Sequence, residues 1–360
     1  MKVLLLGEFS GLHKNLADGL RYCGIEVKTA SIGDGWKRIL SDMDWSSELR
    51  GVAGKIVSIL KASKDVNKLV DYDVVQVVSP IIFHPRLFFF EKLLIDFLKK
   101  NNDRLYLVGA GASERNSYIN SYFRDYYKYP EFYKILKANV GGKLWSETTQ
   151  GINYNQYFHS LLDGYIPIMY EYAEPYRIAN FQNLKSTIQI PHAGHFEYQY
   201  RSVLNRKIKI FHGVNPDRIQ EKGSDLIASA VIKLSQKYKK NIEFIEVGGL
   251  PLQDYLLCLK ESDIVIDQLY FSSYGVNTVQ AMSMGKIVLG GGGREFLEEF
   301  NLKSSPVIPL SPSVNKICDV IEQLMCRLSE IQDMANESYE FAKEFHDKNK
   351  VAALYLNQWT

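Results

Sequence analysis

The chain's 360 residues are enough for two α/β domains, each with its own core. Its 46% hydrophobic and 23% charged content reads as a soluble or peripheral globular protein. A net charge of +2, with acidic residues interleaved among the Lys and Arg, argues against nucleic acid as a partner. The four cysteines, Cys23, Cys258, Cys318 and Cys326, form no C-x-x-C pair; that argues against a metal and fits reduced thiols in the cytoplasm. No apolar stretch approaches the ~18 residues that suggest a membrane span.

Met1–Gly7 holds too short an apolar run for a signal peptide, and Val3–Leu6 reads as a buried first strand. The loop Gly7-Glu8-Phe9-Ser10-Gly11 is not a G-x-G-x-x-G fingerprint, which disfavours a dinucleotide-binding dehydrogenase. Leu12, Leu16, Leu20 and Cys23 have the spacing of a helix. His13, at its start, either faces an acceptor or is structural. Strands are expected at Glu26–Thr29, Val74–Val78, Leu105–Val108 and Tyr165–Met169, alternating with helical periodicity as in parallel sheets with crossover helices. Phe88, Phe89 and Phe90 lie beside Arg86, Lys92, Lys99 and Lys100. They either underlie a core helix with solvated lysines or dock on an anionic bilayer surface. The tyrosine-rich tract Tyr118 to Tyr133 reads as one helical stretch, either a packed cover or a wall of an acceptor cleft. Ile188 to Gly194 closes the first domain, and Phe196 to Arg206 suits a linker.

The second half contains the most informative stretch. Strand Ile208–Phe211 runs into His212 to Gly223, a basic turn that opens a helix near Ser224. Arg218 and Lys222, four residues apart at the mouth of a βα unit, are placed to hold a diphosphate, with the helix dipole and free N–H groups alongside. Gly213 and Gly223 would let backbone approach the ligand; the bland alternative is a solvated helix start. Strands Ile242–Val247, Ile264–Asp267, Ile287–Leu289 and Val307–Pro309 follow. After Asp267 a polar loop with Ser272, Ser273 and Tyr274 leads to a helix near Gly275, whose N–H groups would be aimed at a phosphate or sugar. Val276 and Asn277 lie in its first turn, and Gln280 is placed to reach a ribose hydroxyl; a turn and cap alone would also account for Ser272, Ser273 and Asn277. Gly290 to Gly293 either cradles a phosphate or donor sugar or connects two elements. Helices run from about Pro312, and a final apolar stripe of Val351, Leu354, Tyr355 and Trp359 predicts a terminal helix packed on the first domain.

Taken together, Arg218, Lys222-Gly223, Val247-Gly248-Gly249-Leu250-Pro251, Asp263 to Asp267, and Tyr274-Gly275 through Val288 resemble the donor domain of a GT-B glycosyltransferase. They are similar to the large retaining group often called family 4. Gly7 to Gly11 and Tyr72 to Gln76 resemble that group's first half more loosely. The resemblance implies two doubly wound, Rossmann-like α/β domains facing across a cleft. One spans 1–200 on the acceptor side and the other 201–346 for the nucleotide-sugar donor, with helix 347–360 returning to the first. It implies transfer of a sugar, with retention, from a nucleotide diphosphate sugar (UDP-linked) to a hydroxyl of a glycan or lipid-linked acceptor. Neither an obligatory metal nor another cofactor is implied. Arg218 and Lys222 would stabilise the leaving diphosphate. Gly213, Gly248, Gly249, Ser272, Ser273, Tyr274, Gly275, Val276, Asn277 and Gln280 would line the donor, and Glu8, Gly11 and His13 the acceptor. A role in surface polysaccharide assembly, in the cytoplasm and peripherally at the inner face of the membrane, follows as an expectation. The group carries two glutamates separated by seven residues; here Ser272 and Gln280 stand in those places. It also places a His in a first-half loop, where this chain has Gly109 to Ser113. These departures favour a catalytically silent nucleotide- or glycan-binding protein as an alternative, and they count against a sugar-nucleotide epimerase, which the fold also serves.

Overall fold

A computed structural model describes residues 1–34, 39–49, 51–111, 113–193, 198, 202–203 and 206–359. The linker expected over 196–206 therefore falls largely outside the described residues, as does Ala112 in the loop after the strand at 104–109. The chain divides into two compact units, Met1–Ala193 with Lys348–Thr360, and Gly194–Asp347.

In the first unit the elements run β1 (Lys2–Leu6), α1 (Leu12–Tyr22), β2 (Glu26–Ser31), β3 (Met43–Asp44), α2 (Gly51–Lys64), β4 (Val74–Val77), α3 (Phe88–Asn101) and β5 (Arg104–Gly109). They continue with α4 (Ser117–Asp125), α5 (Pro130–Asn139), α6 (Thr149–Ser160), β6 (Gly164–Pro167) and α7 (Tyr170–Ile178). Among the described residues these strands form one parallel sheet in the order β3-β2-β1-β4-β5-β6. Strand order reverses between β1 and β4, and in such sheets the crevice outside that point is where ligands bind. β1 is an apolar run from Val3 on and β4 is buried along its whole length, with Gln76 as its one polar side chain, as expected of a parallel sheet covered on both faces.

The second unit contains β7 (Ile208–Val214), α8 (Ser224–Lys237), β8 (Ile242–Gly248), α9 (Leu252–Lys260), β9 (Ile264–Ile266) and α10 (Val276–Ser283). It ends with β10 (Ile287–Gly290), α11 (Arg294–Glu299), β11 (Ile308–Pro309), α12 (Val314–Met325) and α13 (Ile331–Phe345). Its parallel sheet has the order β11-β10-β9-β7-β8, so the reversal lies between β7 and β9. Its core is Ile210, Ile227, Val231, Ile264, Ile266 and Leu289, closed by Ile317 and Ile321 of α12.

Three elements differ from the sequence expectation. The tract Tyr118 to Tyr133 is two helices, broken at Tyr126–Tyr129, because Pro130 occupies the first turn of α5 and disfavours helical backbone just before it. Four of its aromatics are core, Tyr122, Phe123, Tyr127 and Phe132, with Phe123 packing edge-on against Tyr127 and Phe132, whereas Tyr126 is exposed. β3 has only two residues, too few to carry an alternating pattern. The terminal helix α14 (Lys348–Trp359) lies along α1 within the first unit. Gly19 makes room for it there, since a Cβ would strike the Lys348 carbonyl at 2.2 Å. Val351, Tyr355 and Trp359 are buried, whereas Leu354 is exposed and does not join the stripe.

Candidate functional site

The second unit's crevice is built by the loops that leave β7 and β9. β9 ends at Ile266, and the next residue, Asp267, is 1% exposed. A buried carboxylate needs strong partners, and Asp267 has three. Lys222 Nζ donates to its Oδ1 at 2.6 Å, Asn277 Nδ2 to the same oxygen at 3.2 Å, and Thr278 Oγ1 to Oδ2 at 2.9 Å. Burial pushes the Asp267 pKa up, but the Lys222 charge and these hydrogen bonds outweigh it and leave the group below the usual carboxylate range. The Lys222 side chain is 29% exposed and that of Asp267 1%, so the acid is sealed and the cation keeps some access to solvent.

Gly223 makes this geometry possible. It caps α8 at φ +73, and a Cβ there would meet Leu269 Cδ1 at 2.6 Å. The Lys222 carbonyl accepts from the Leu269 N–H, which ties the two loops together. Beneath them His212, fully buried, bridges the Ile266 carbonyl through Nδ1 at 2.7 Å and the Ser224 hydroxyl through Nε2 at 2.8 Å. Since the carbonyl can only accept, Nδ1 carries the proton. Burial lowers the His212 pKa to about 4, so the ring is neutral.

Several predicted site residues take other roles here. Lys222 is not a free turn cation but one half of a pair with a buried acid. Arg218 is exposed and pairs with Glu221 at 3.4 Å. Gly213 opens space for the Tyr255 hydroxyl rather than for a ligand, since a Cβ there would meet it at 2.3 Å. Asn277 is held by Asp267 on one side and by the Tyr255 hydroxyl on the other. Tyr274 is a correction: it is 2% exposed, packs on Phe296 and hydrogen-bonds His346 Nε2 at 2.9 Å, so it belongs to the core. Ser273 is buried, and its carbonyl accepts from the Gln268 amide at 2.9 Å. Gly275 is the N-cap of α10 and Val276 its first residue, so the helix start lies beside Asp267. Gln280 is half-buried one turn further on. Gly248 and Gly249 end β8 exposed, with nothing within 4 Å of a Cβ built on Gly249.

Sequence reasoning missed Glu295. Ser272 Oγ donates to Glu295 Oε2 at 2.9 Å, and the Ser272 carbonyl accepts from the N–H groups of Gly292 and Gly293 at 2.5 and 3.1 Å. The glycine run after β10 thus folds back on position 272 and delivers a carboxylate where the chain itself has only a hydroxyl. The run is packed tightly, since a Cβ on Gly291 would meet the Ser273 carbonyl at 2.0 Å. A cavity of about 610 Å³ opens on its outer side, lined by Arg294, Glu298, Asn301, Lys303 and Pro309 among others; Lys222 does not line it.

In the first unit the three predicted acceptor residues are absorbed into the fold. Gly11 caps α1 at φ +90. The buried carboxylate of Glu8 accepts from the N–H groups of Gly11 and Lys14, both at 2.9 Å. Burial pushes its pKa up to about 7, with Asp34 adding to the rise and the backbone N–H groups opposing it. His13 is also a correction. It is 1% exposed, with Nδ1 donating to the Gly7 carbonyl at 2.8 Å and Nε2 accepting from the Gln76 amide at 3.2 Å. Trp359 Nε1 donates to Gln76 Oε1 at 3.3 Å, which fixes the amide's orientation and so the His13 tautomer. Burial lowers the His13 pKa to about 4. His13 thus belongs to a buried chain of hydrogen bonds that runs from α1 through Gln76 of β4 to Trp359 of α14.

Among the described residues no three His, Cys, Asp or Glu side chains gather as a metal site, and no helix is long and apolar enough to cross a membrane.

Comparison with solved structures places this architecture. Sucrose-phosphate synthase from Thermosynechococcus elongatus is similar over 100% of this chain and 98% of its own, with a TM-score of 0.63 at 11% identity. HepE of Anabaena, solved in complex with UDP and glucose, is similar over 99% and 98%, with a TM-score of 0.59 at 13% identity. The fold is GT-B. UDP-GlcNAc 2-epimerase from Neisseria meningitidis, bound to UDP-GlcNAc, shares it over 99% of both chains, with a TM-score of 0.53 at 13% identity. No protein-family model matches the sequence, and no curated protein matches it.

Proposed function

We propose that this GT-B protein transfers a sugar from a nucleotide diphosphate sugar, UDP-linked, to a hydroxyl of a glycan or lipid-linked acceptor, with retention and without an obligatory metal. The observation that carries the reading is the Lys222–Asp267 pair at the reversal between β7 and β9, beside the start of α10. An ammonium has three N–H groups, and Asp267 takes one. The other two would be open to a diphosphate, while Asp267 fixes the ammonium before the ligand arrives. Preorganised donors of this kind stabilise charge that develops on a leaving group. The departing phosphate oxygen would take up the acceptor proton, so the reaction needs no separate protein base. Glu295, held on Ser272, would accept from donor-sugar hydroxyls, and Gln280 would hydrogen-bond the ribose through its amide. Titratable carboxylates at the donor would also serve an epimerase, and Glu295 is the observation that favours that second reading. Surface polysaccharide assembly at the inner membrane face fits a lipid-linked acceptor.

The test is a panel of nucleotide sugars, with and without candidate acceptors, followed by release of nucleoside diphosphate. Acceptor-dependent release supports transfer, and interconversion of the sugar nucleotide without acceptor supports epimerisation. Binding without either change leaves a nucleotide-binding protein.

A further inference from the structure

Two roles are open in sequence for Phe88, Phe89 and Phe90, under a core helix or on a bilayer, and the first fails for two of them. Phe89 and Phe90 are 60% and 43% exposed, and Leu93, one turn on, is 50% exposed. The opposite side of α3 is buried through Glu91, Ile95 and Leu98. With about 3.6 residues per turn, Phe89, Phe90, Leu93, Phe97 and Lys100 share roughly a quarter of the helix circumference. Phe97 is half-buried and Lys100 exposed. A helix that is apolar on both sides is ordinarily covered on both; α3 is covered on one.

The stripe is basic at both ends. Arg86 lies in the turn before α3 and Lys100 in the last turn; both are exposed, and among the described residues neither has an ion-pair partner. Asp96, on the flank of the stripe, is held by Lys92 Nζ at 2.6 Å and by the Tyr157 hydroxyl. Lys99 is taken by Asp163, also at 2.6 Å. Two copies packed stripe to stripe would bring like charges together in either direction. Arg86 would meet Lys100 in an antiparallel pair and Arg86 in a parallel one, which is unfavourable. An anionic bilayer surface accepts both the rings and the cations.

We propose that α3 docks the first unit on an anionic bilayer surface. Phe89, Phe90 and Leu93 enter the headgroup region, and Arg86 and Lys100 lie against the lipid phosphates. The helix follows the loop that leaves the carboxyl end of β4, so Arg86, Phe89 and Phe90 stand at the crevice end of this unit. A lipid-linked acceptor would meet the protein at that end. Only this purpose rests on the transfer reading; the docking itself does not.

The test is flotation of the whole protein with phosphatidylcholine vesicles, with and without phosphatidylglycerol, at low and high salt. Binding is expected on the anionic vesicles and should weaken in high salt. Phe89→Ser with Phe90→Ser should lower partitioning at least about tenfold. Arg86→Gln with Lys100→Gln should lower it at least about tenfold on anionic vesicles only. All four side chains are exposed, so thermal unfolding and UDP affinity should stay unchanged. If the serine pair does not fold, the charge pair still decides. Phe90→Trp locates the contact, since brominated lipid should quench the fluorescence that this substitution adds. No vesicle binding, binding that both double variants keep, or no quenching at position 90 overturns the docking surface. A dimer that the serine pair breaks, with no dependence on lipid, also overturns it, in favour of a second copy. Lost UDP binding with intact vesicle binding would instead count against the proposed function.

Discussion

The two units share one plan, a parallel sheet with loops at its carboxyl ends, yet they treat charge at the reversal point in opposite ways. In the second unit the cation is locked: Lys222 sits on a buried Asp267 that Asn277 and Thr278 also hold. In the first unit the carboxylates are locked instead: Glu8 accepts from the N–H groups at the start of α1, and Glu91 from those of the loop after β4. A charged residue at a strand end therefore says where a crevice is, but its partner decides whether it can meet a ligand.

The contrast breaks most sharply at Lys222. Lys222→Ala should lower turnover by roughly 10²–10³ if the ammonium stabilises the leaving diphosphate. It should also destabilise the second unit by ~3–5 kcal/mol, because Asp267 is left charged and buried. Adding Asp267→Asn should restore much of the stability and none of the turnover. Thermal unfolding and single-turnover kinetics on the three variants check this, and a double variant that regains turnover would remove Lys222 from the chemistry.

A comparable stability loss is expected from Trp359→Ala, but in the other unit. Trp359 is fully buried, its indole donates to Gln76, and Arg104 and Tyr106 donate to its carbonyl. Truncation should cost ~3–5 kcal/mol and free the amide whose orientation sets the His13 tautomer. Hydrogen exchange should rise in β1 and β4 and stay level in β7 and β9. Equal loosening of both sheets would mean that α14 stabilises more than the unit it belongs to.

Smaller effects should come from the donor-sugar position. Glu295→Gln keeps the shape and the Ser272 hydrogen bond but removes the charge. It should weaken discrimination among nucleotide sugars by about tenfold, the scale of ~1.4 kcal/mol, and leave UDP affinity unchanged. Gln280→Ala should do the reverse, weakening UDP more than it slows turnover. Competition binding of UDP and intact sugar nucleotides separates the two.

Much of the architecture was legible because short apolar runs such as Val3–Leu6 and Ile264–Ile266 alternate with helical periodicity along the chain, the pattern of parallel strands joined by crossover helices. The site was legible in position and poorly so in role. Lys222 and Asp267 are 45 residues apart in sequence, and no local pattern joins them. Nor does spacing show that position 272 meets Glu295, since that contact depends on a glycine run closing over the loop. The resemblance assigns Tyr274 to the donor and His13 to the acceptor; both are buried, Tyr274 on His346 and His13 on the Gly7 carbonyl and the Gln76 amide.

The two units should also respond differently to pH. In the first, burial raises Glu8 and Glu91 to about 7, so the folded unit retains protons that the unfolded chain loses near 4.5, and stability falls as pH rises through that window. His13 and His159 act in the opposite sense: burial lowers both to about 4 from 6.5, so stability rises between those values. Between about pH 4.5 and 6.5 the two pairs oppose each other, and from 6.5 to 7 only the decline remains. In the second unit burial lowers His212 to about 4, and among the described residues no carboxylate pushed up by burial is seen to oppose it. Asp267 lies below the usual range and contributes throughout this window, its stabilisation being lost only at more acid pH. Raising the pH from about 5 to about 6.5 should therefore strengthen β7 and β9 while β1 and β4 change little. Hydrogen exchange of the slowest amides in each sheet, corrected for intrinsic rates, measures the difference. Parallel changes in both sheets would show that the buried glutamates do not hold their protons, and Glu8→Gln with Glu91→Gln would then leave the first unit's pH response unchanged instead of giving it the rising profile of the second.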